Sequence, residues 1–270
     1  MPRVFANGGV IGKTLDFTSA LSYGIQYVGG AVTSTSSGTV TINFTSLTGG
    51  VGSVLAGDLV IAVIGEADTN DNVLTMTTTG YTKLFDLYQN NTQDSGLGVF
   101  YKVMGATPDT SATEGRAPSG GSSIVFAVHV WRGVNTSTPI GASASAGATG
   151  SSLANPPAIT TTSPNSRVIA IGAAAHNSST VTFTQGGDLQ NFITVGQSNS
   201  EDASLGVGSI IGSISASGTV VDPIAFTAST SGQNSWNAVT LELISKNPFA
   251  QTLKNAGLWD TGWRYVPNTL

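Results

Sequence analysis

The sequence predicts an all-β protein, a two-sheet antiparallel β-sandwich similar in type to a jelly roll. Two aliphatic runs, 59–64 (LVIAVI) and 167–172 (RVIAIG), have the length and β-branched content of buried strands. Residues 39–44 (TVTINF) alternate apolar and polar side chains, as a half-buried strand does. Short stretches rich in glycine, asparagine, aspartate and serine separate such runs along most of the chain.

Residues 1–27 are not expected to form a domain. Glycines interrupt isolated apolar residues, among them Val10, Ile11 and Phe17, which cannot close a core alone. We therefore expect an extended N-terminal docking arm whose apolar residues bind another surface. Residues 7–14 resemble a phosphate-binding loop, but no strand pattern precedes them and no helical pattern follows, so nucleotide binding is not expected.

The body of the sandwich is predicted over residues 28–245. Residues 124–131 are apolar on both faces, so this strand should lie inside a sheet, and His129 is expected to be a packed, hydrogen-bonded core residue. The strands that the patterns predict in the first half are 39–44, 59–64, 73–76, 81–88, 97–104 and 124–131.

Residues 133–157 have the composition of a low-complexity connector, either a linker between two domains or a long loop between sheet edges. Pro223 should mark a sheet edge or a bulge, because proline has no N–H to donate to a ladder. The strands predicted beyond the connector are 158–162, 167–175, 181–184, 189–196, 204–214, 219–228 and 236–245.

Residues 246–270 differ in character from the body. A capping asparagine followed by proline predicts the start of a helix, and a short aromatic tail follows it. We expect the aromatic rings either to fold back on their own sandwich or to contact another subunit. The docking residues expected here are Phe249, Leu253, Trp259, Trp263 and Tyr265.

The two halves of the body share a pattern. Residues 97–99 (LGV) recur as 205–207, at the same offset of 108 that relates Val60 to Val168. Residues 127–128 (AV) recur as 238–239, at an offset of 111. Agreement over three elements predicts pseudo-repeat halves at about 40–131 and 158–243; chance similarity among small apolar residues is the alternative.

Composition excludes several classes of function. Only 9% of the residues are charged, the net charge is −5 and no basic cluster occurs, so nucleic acid is not an expected partner. The lack of cysteine excludes disulfides, thiolate metal sites and cysteine nucleophiles. No apolar run approaches the ~20 residues of a membrane span, and the N-terminus lacks a signal-peptide core, so neither membrane insertion nor signal-dependent secretion is expected.

The sequence offers little catalytic chemistry. With His129 and His176 as its only histidines and no G-x-S-x-G motif, a histidine-based triad is hard to assemble. The acidic residues that could cleave glycosides in pairs lie mostly in predicted turns. Residues 66–72 (EADTNDN) alternate oxygen ligands as a calcium loop begins, but lack its central glycine and closing glutamate, so an ordinary polar loop is the preferred interpretation. We expect no enzyme activity, cofactor or resident metal.

The body contains an ordered set of short motifs: 56–60 (AGDLV), 80–84 (GYTKL), 100–103 (FYKV), 130–134 (VWRGV) and 139–140 (PI), echoed by 158–162 (AITTT) and 167–170 (RVIA). This set resembles a recurrent group of tailed-bacteriophage structural proteins. Residues 8–12 (GGVIG) are also similar to an N-terminal tag of some marine-phage structural proteins, which implies anchoring to the particle. The resemblance implies an exposed, all-β virion component without enzymatic activity.

We therefore expect a non-enzymatic structural component of a bacteriophage virion, assembled in the host cytoplasm. A tail fibre or tail appendage, held by its terminal segments, is the first placement; a capsid decoration or head-fibre protein is the alternative. A second class of function is a carbohydrate-binding module that stacks aromatic residues on host-surface glycans. The expected partners are other virion proteins and copies of the chain itself, as a trimer by analogy with phage appendages.

Overall fold

The computed structural model describes residues 24–116, 122–150, 153–176, 182–185, 187–197, 202–228 and 235–246, with the backbone alone at 5–6, 9–10 and 233–234. The described chain is almost entirely β, as predicted. Its strands are β1 (Phe5–Ala6), β2 (Gly9–Val10), β3 (Gln26–Thr35), β4 (Thr41–Asn43), β5 (Leu59–Asp68), β6 (Thr82–Gln89), β7 (Asp94–Val103), β8 (Ser111–Thr113), β9 (Ser123–Arg132), β10 (Ile140–Thr149), β11 (Ile159–Thr160), β12 (Arg167–His176), β13 (Phe183–Thr184), β14 (Leu189–Gln197), β15 (Asp202–Ile210), β16 (Val220–Val221), β17 (Thr227–Ala228) and β18 (Gln233–Leu243).

The long strands form two five-stranded antiparallel sheets that pack face to face, so the predicted sandwich is confirmed. The first sheet has the order β3-β9-β5-β7-β6 and the second has the order β10-β18-β12-β15-β14. Each sheet is therefore built from one half of the chain. In both halves the first long strand pairs with the fifth, the fifth with the second, the second with the fourth and the fourth with the third.

Smaller features also recur between the halves. Each half has a short two-stranded pair outside its main sheet, β4 with β8 in the first half and β11 with β16 in the second. In both halves this pair links the connection after the first long strand to the connection after the fourth. A bulge interrupts the ladder between Tyr27 and Gly29 in β3, and another interrupts it between Ile140 and Ser143 at the corresponding place in β10. Because bulges are specific features of a strand, their recurrence favours duplication over chance.

The strand register tests the offsets read from the sequence. Val63 lies opposite Val99 and Ile171 lies opposite Val207, which reproduces the offset of 108. The third match is wrong by one residue. On the other side of the same strands Val63 lies opposite Ala127, whereas Ile171 lies opposite Val239, so residues 127 and 239 correspond at an offset of 112. The match at 111 therefore joined side chains that point to opposite faces.

The main core lies between the two sheets and contains fully buried aliphatic residues such as Ile61, Val63 and Ile171. The outer face of each sheet is covered as well, with Phe126 in the cluster outside the first sheet and Phe226 in the cluster outside the second. Strands covered on both faces are apolar throughout, which explains why β5 and β12 gave the clearest sequence signal.

The sheets approach closely at Gly65. A Cβ there would lie 2.7 Å from Val125 Cγ2 and 3.4 Å from the Cβ of Ala173. Ala173 is the second-half residue that corresponds to Gly65, so corresponding residues lie at the same level of the sandwich. The corresponding ends of the two halves are therefore found at the same end of the molecule.

Two predicted boundaries are corrected. Ile25 is buried and β3 begins at Gln26, so the body includes residues before the predicted start at residue 28. Residues 133–157 are not a structureless connector, because they contain the edge strand β10. Its serines and alanines have weak strand propensity, and pairing with β18 provides the stabilisation that propensity does not.

Two predicted strands are also corrected. Residues 73–76 contribute only an isolated bridge, between Met76 and Glu114, because this segment crosses the outer face of the first sheet. The strand predicted at 219–228 divides into β16 and β17, and Pro223 lies between them. The C-terminal helix predicted after residue 246 lies outside the described residues.

Candidate functional site

The two ends of the sandwich carry different groups. The base is the end where β5 and β12 begin, at Leu59 and Arg167, and the tip is the end where they finish, at Asp68 and His176. Polar bonds join the sheets near the tip: Asn237 Nδ2 donates to the carbonyl of Ser95 at 2.7 Å.

Both ends of the described body meet at the base. The Lys246 N–H donates to the carbonyl of Gly133 at 2.9 Å, and Asn135 N–H donates to the carbonyl of Ile244 at 2.8 Å. The carbonyl of Gly24 lies beside the same glycine, 2.6 Å from where a Cβ on Gly133 would be. The segments before residue 24 and after residue 246 are therefore attached to the body side by side.

The predicted docking residues belong to these two terminal segments. Val10 lies in β2, opposite Phe5 of β1. The other predicted docking residues lie outside the described residues: Ile11, Phe17, Phe249, Leu253, Trp259, Trp263 and Tyr265.

The base carries exposed apolar side chains that sequence reasoning did not single out. Val51 is 61% exposed and lies beside the start of β3, and Leu55 is 52% exposed and is bonded to Asp58, just before β5. Ile211 is 58% exposed and follows β15, and Ile224 is held near it because both residues donate backbone N–H groups to Asp188. These four exposed apolar side chains therefore lie at the base, the end of the body that also carries the attachment points of the terminal segments.

At the tip, the first half carries a buried ion-pair cluster. Arg116 donates from Nε to Glu66 Oε1 at 2.5 Å and from Nη2 to Asp68. Asn72 Nδ2 adds a bond to Asp68 Oδ2 at 2.7 Å. Alternation along β5 places both carboxylates on one face, and a bend that follows β8 brings the arginine to them. The described residues contain no group of three or more acidic or histidine side chains placed to hold a metal ion.

Burial and hydrogen bonding shift the pKa values of Glu66 and Asp68 in opposite directions. Burial raises the pKa of Glu66 to about 7, although the bond and the charge of Arg116 oppose this. Burial also acts on Asp68, but hydrogen bonds from Ser122, Thr69 and Asn70 and the Arg116 charge together lower its pKa below the ordinary value. A pair with separated pKa values is what an acid–base catalyst uses. Here both members are buried and bound to one guanidinium, the arrangement of a structural ion-pair network.

The second half carries a different polar pair at the corresponding place. His176 Nε2 and Ser204 Oγ are 2.6 Å apart, and both residues are fully buried. Nδ1 of His176 has no partner, so no carboxylate orients this ring as in a catalytic triad. Burial lowers the pKa of His176 to about 4, with the charge of Asp202 opposing. The repeat offset of 108 residues aligns His176 with Asp68, so the sequence could have indicated a polar group at this position of the second half.

His129 lies between the sheets towards the base, with ring centroids of Tyr27 at 5.0 Å and of Trp131 at 5.9 Å. Its packing is as predicted. Neither ring nitrogen has a partner within normal hydrogen-bond geometry, and the same holds for Tyr27 Oη and Trp131 Nε1. The backbone of Asn191 acts on the ring as a partial hydrogen-bond partner. Burial lowers the pKa of His129 to about 3, opposed only in part by the backbone of Asn191. The ring is neutral at physiological pH and serves as core packing.

Two other buried acids hold connections in place. Asp58 accepts two bonds from Arg132, from Nε at 2.9 Å and from Nη2 at 2.8 Å. Glu242 accepts bonds from the backbone of Ala142, Thr162 and Ser163 and from the hydroxyl of Thr162, at 2.8–3.0 Å. Burial acts to raise the pKa of Glu242, but these bonds lower it below the ordinary value.

Comparison with protein-family models, with curated proteins and with solved structures found no match. In the part of the chain that the structure describes, no helix is long and apolar enough to cross a membrane.

Proposed function

We propose that the chain is a non-enzymatic structural component of a bacteriophage virion, anchored to the particle through its two terminal segments. The observation that carries the proposal is the geometry of the base, where Gly24 and Lys246 both lie against Gly133. A body held by two neighbouring segments at one end presents its other end outward. Tail fibre or tail appendage is the first placement, and the expected location is the virion.

The use of the buried charges supports a structural role. Arg116 is bound to Glu66 and Asp68, and Asp58 is bound to Arg132. Glu242 accepts donors from β10 and from the connection between β11 and β12. The motif set that resembles phage structural proteins overlaps these positions, since Asp58 and Arg132 both lie within it. These ion pairs fix the long connections of a duplicated sandwich, as a protein exposed on a particle requires.

The carbohydrate-binding alternative draws no support from the described body. Stacking on a sugar ring needs an aromatic ring face open to solvent. No tryptophan, tyrosine or phenylalanine among the described side chains is fully exposed, although some, such as Tyr88 and Phe192, are half-buried. The aromatic residues predicted to stack on a glycan, Trp259, Trp263 and Tyr265, lie outside the described residues.

Immunogold labelling of particles tests the proposal. Antibody raised against the full chain is applied to purified particles of the virus that encodes it, and mass spectrometry of the same particles provides the control for presence. Label confined to the tail supports the appendage, and label spread over the head supports the decoration or head-fibre alternative. Particles that contain no such polypeptide would contradict the proposal.

A further inference from the structure

The four edge strands of the sandwich differ in how they are protected. Edge strands expose unpaired backbone groups, and proteins usually cover them or interrupt them with charges, prolines or bulges. The edge of β3 is covered by residues 48–52. Gly30 and Thr48 exchange two backbone bonds of 3.0 Å, and Val51 and Gly52 donate to carbonyls of β3 at 3.2 Å.

Two further edges are interrupted. In β6 a bulge lies between Lys83 and Phe85, and an ion pair joins Lys83 to Asp86 on the same edge. In β14 the ladder is broken between Gln190 and Ile193, where Asn191 adopts a left-handed backbone with φ of 54°. Neither strand offers a long regular edge to another chain.

The remaining edge, β10, has none of these protections over residues 143–149. This stretch contains no charge and no proline, and its register with β18 is unbroken. Within the described residues no backbone segment pairs with its outer side. By the correspondence between the halves, β10 is the counterpart of β3, so the second half lacks the cover that the first half has.

The direction of the free backbone groups follows from the neighbouring bonds. Ile244 donates to the carbonyl of Pro139 and accepts from Asn135, so its backbone groups face the β10 side. Because the direction alternates along a strand, the groups of β18 at 240, 238 and 236 face β10 too, and they pair with Ala144, Ala146 and Ala148. The residues that point N–H and C=O groups outward are therefore Ser143, Ser145, Gly147 and Thr149, all of them exposed.

We propose that this edge is an interface between copies of the chain, in which β10 pairs antiparallel with β10 of a second copy. The register that uses all four outward residues places Ala146 opposite Ala146 of the second copy. It also places Ser145 opposite Gly147 and Ser143 opposite Thr149 across the contact. The absence of charge from β10 means that no like charges meet across the twofold axis, whereas self-pairing of β6 would bring its charged side chains together. The contact joins two five-stranded sheets into one continuous sheet and closes as a dimer. It does not depend on the proposed function.

A single cysteine reports this register, because the chain has no native cysteine. In the proposed pair Ala146 occupies a non-hydrogen-bonded position, with Cα atoms about 4.5 Å apart, within the range of about 4.4–6.8 Å that a disulfide spans. Full-length Ala146→Cys is expected to form a disulfide dimer under mild oxidation. Thr149→Cys, a control on the same strand, lies opposite Ser143 and is expected not to link to itself, whereas the double variant Ser143→Cys/Thr149→Cys is expected to link.

A second variant separates pairing from folding. Ser145→Pro removes an N–H that points away from β18, so the fold is expected to remain and the thermal midpoint to stay close to that of the native chain. Light scattering is expected to show a dimer for the native chain and a dissociation constant about tenfold or more higher for Ser145→Pro, since one bond from each copy is lost and the rings block close approach.

Four results would overturn the inference. A native chain that stays monomeric up to its solubility limit would do so, as would a dimer that Ser145→Pro does not weaken. Equal cross-linking of Ala146→Cys and Thr149→Cys would show contact without this register. Linkage of Ala146→Cys to another virion protein, with none between copies, would assign the edge to a different occupant.

Discussion

Replacing His129 by leucine should stabilise the protein. The imidazole is fully buried and neither ring nitrogen has a partner within normal hydrogen-bond geometry, so the backbone of Asn191 compensates its burial only in part. His129 lies opposite Ile61 in the first sheet, and the corresponding residue of the second sheet, opposite Ile169, is Leu241. Leucine is thus the residue that the other half already uses at this position.

The expected gain follows from the cost of an unpaired polar group. A buried donor or acceptor without a partner costs about 1–3 kcal/mol, so removing the imidazole should raise the free energy of unfolding by roughly 2 kcal/mol. For a chain of this size 1 kcal/mol shifts the thermal midpoint by about 2–4 °C. The midpoint of His129→Leu should therefore rise by about 4–8 °C at neutral pH.

The gain should grow as the pH falls. The pKa of His129 is about 3 in the folded chain, against an ordinary value of about 6.5 in the unfolded chain. Protons therefore bind the unfolded chain first, and native stability is lost as the pH falls from about 6.5 towards about 3. At pH 5 this loss is roughly 2 kcal/mol in the native chain and absent from the leucine variant. Other titrating groups act on both chains and cancel in the difference.

Calorimetry and urea unfolding of the two chains at pH 7 and pH 5 measure these differences. His176→Leu is the matched control, because its Nε2 is bonded to Ser204 and the substitution leaves that hydroxyl without its partner. The control should gain no stability at pH 7. If His129→Leu lowers the midpoint at pH 7, the imidazole has partners such as ordered water, and the argument from an unpaired core histidine is wrong.

Two other substitutions test the buried charges. Glu242→Gln should lower the free energy of unfolding by roughly 2–4 kcal/mol, because the glutamine NH2 group would face backbone N–H groups that now donate to the carboxylate. Urea unfolding measures this loss. A loss below about 0.5 kcal/mol, the size of an ordinary surface change, would contradict the prediction. Arg116→Met should cost roughly 3–5 kcal/mol at pH 8 by leaving Glu66 and Asp68 buried without a cation. Protonation of Glu66 removes its repulsion with the Asp68 carboxylate, so the loss of stability should be smaller at pH 5. An equal loss at both pH values would refute the assignment of these residues as a charged cluster.

The sequence predicted the strands whose evidence is local. Strands β5 and β12 are buried on both faces, so their apolar runs needed no knowledge of their neighbours. Strand β10 was missed because its alternating serines and alanines resemble a linker, and only pairing with β18 makes it a strand. The offset at 127 and 239 failed for a related reason: both faces of β9 are apolar, so residue type does not show which way a side chain points.

The tip clusters show the same limit. Glu66 and Asp68 stand two residues apart in a strand, which places them on one face and was visible in the sequence. Their partner Arg116 is distant along the chain and reaches them through the fold. The pairing of His176 with Ser204 could be derived only after the offset of 108 was applied to polar residues as well as to apolar ones.

The two proposals together constrain how copies can be arranged. Strand β10 runs from the base at Ile140 to the tip at Thr149, so antiparallel pairing places the two bases at opposite ends of the dimer. The attachment points of the terminal segments, at Gly24 and Lys246 of each copy, then lie at opposite ends of the dimer. Such a dimer can bridge two partners but cannot stand with both bases on one surface. A bridging dimer fits an appendage that joins particle components better than it fits a coat of side-by-side decorations. Cross-linking of Ala146→Cys within intact particles tests this arrangement. Disulfide dimers in particles whose tails bind the immunogold label would agree with both proposals. Monomers on particles, with dimers only in the free protein, would show that anchoring and β10 pairing exclude each other.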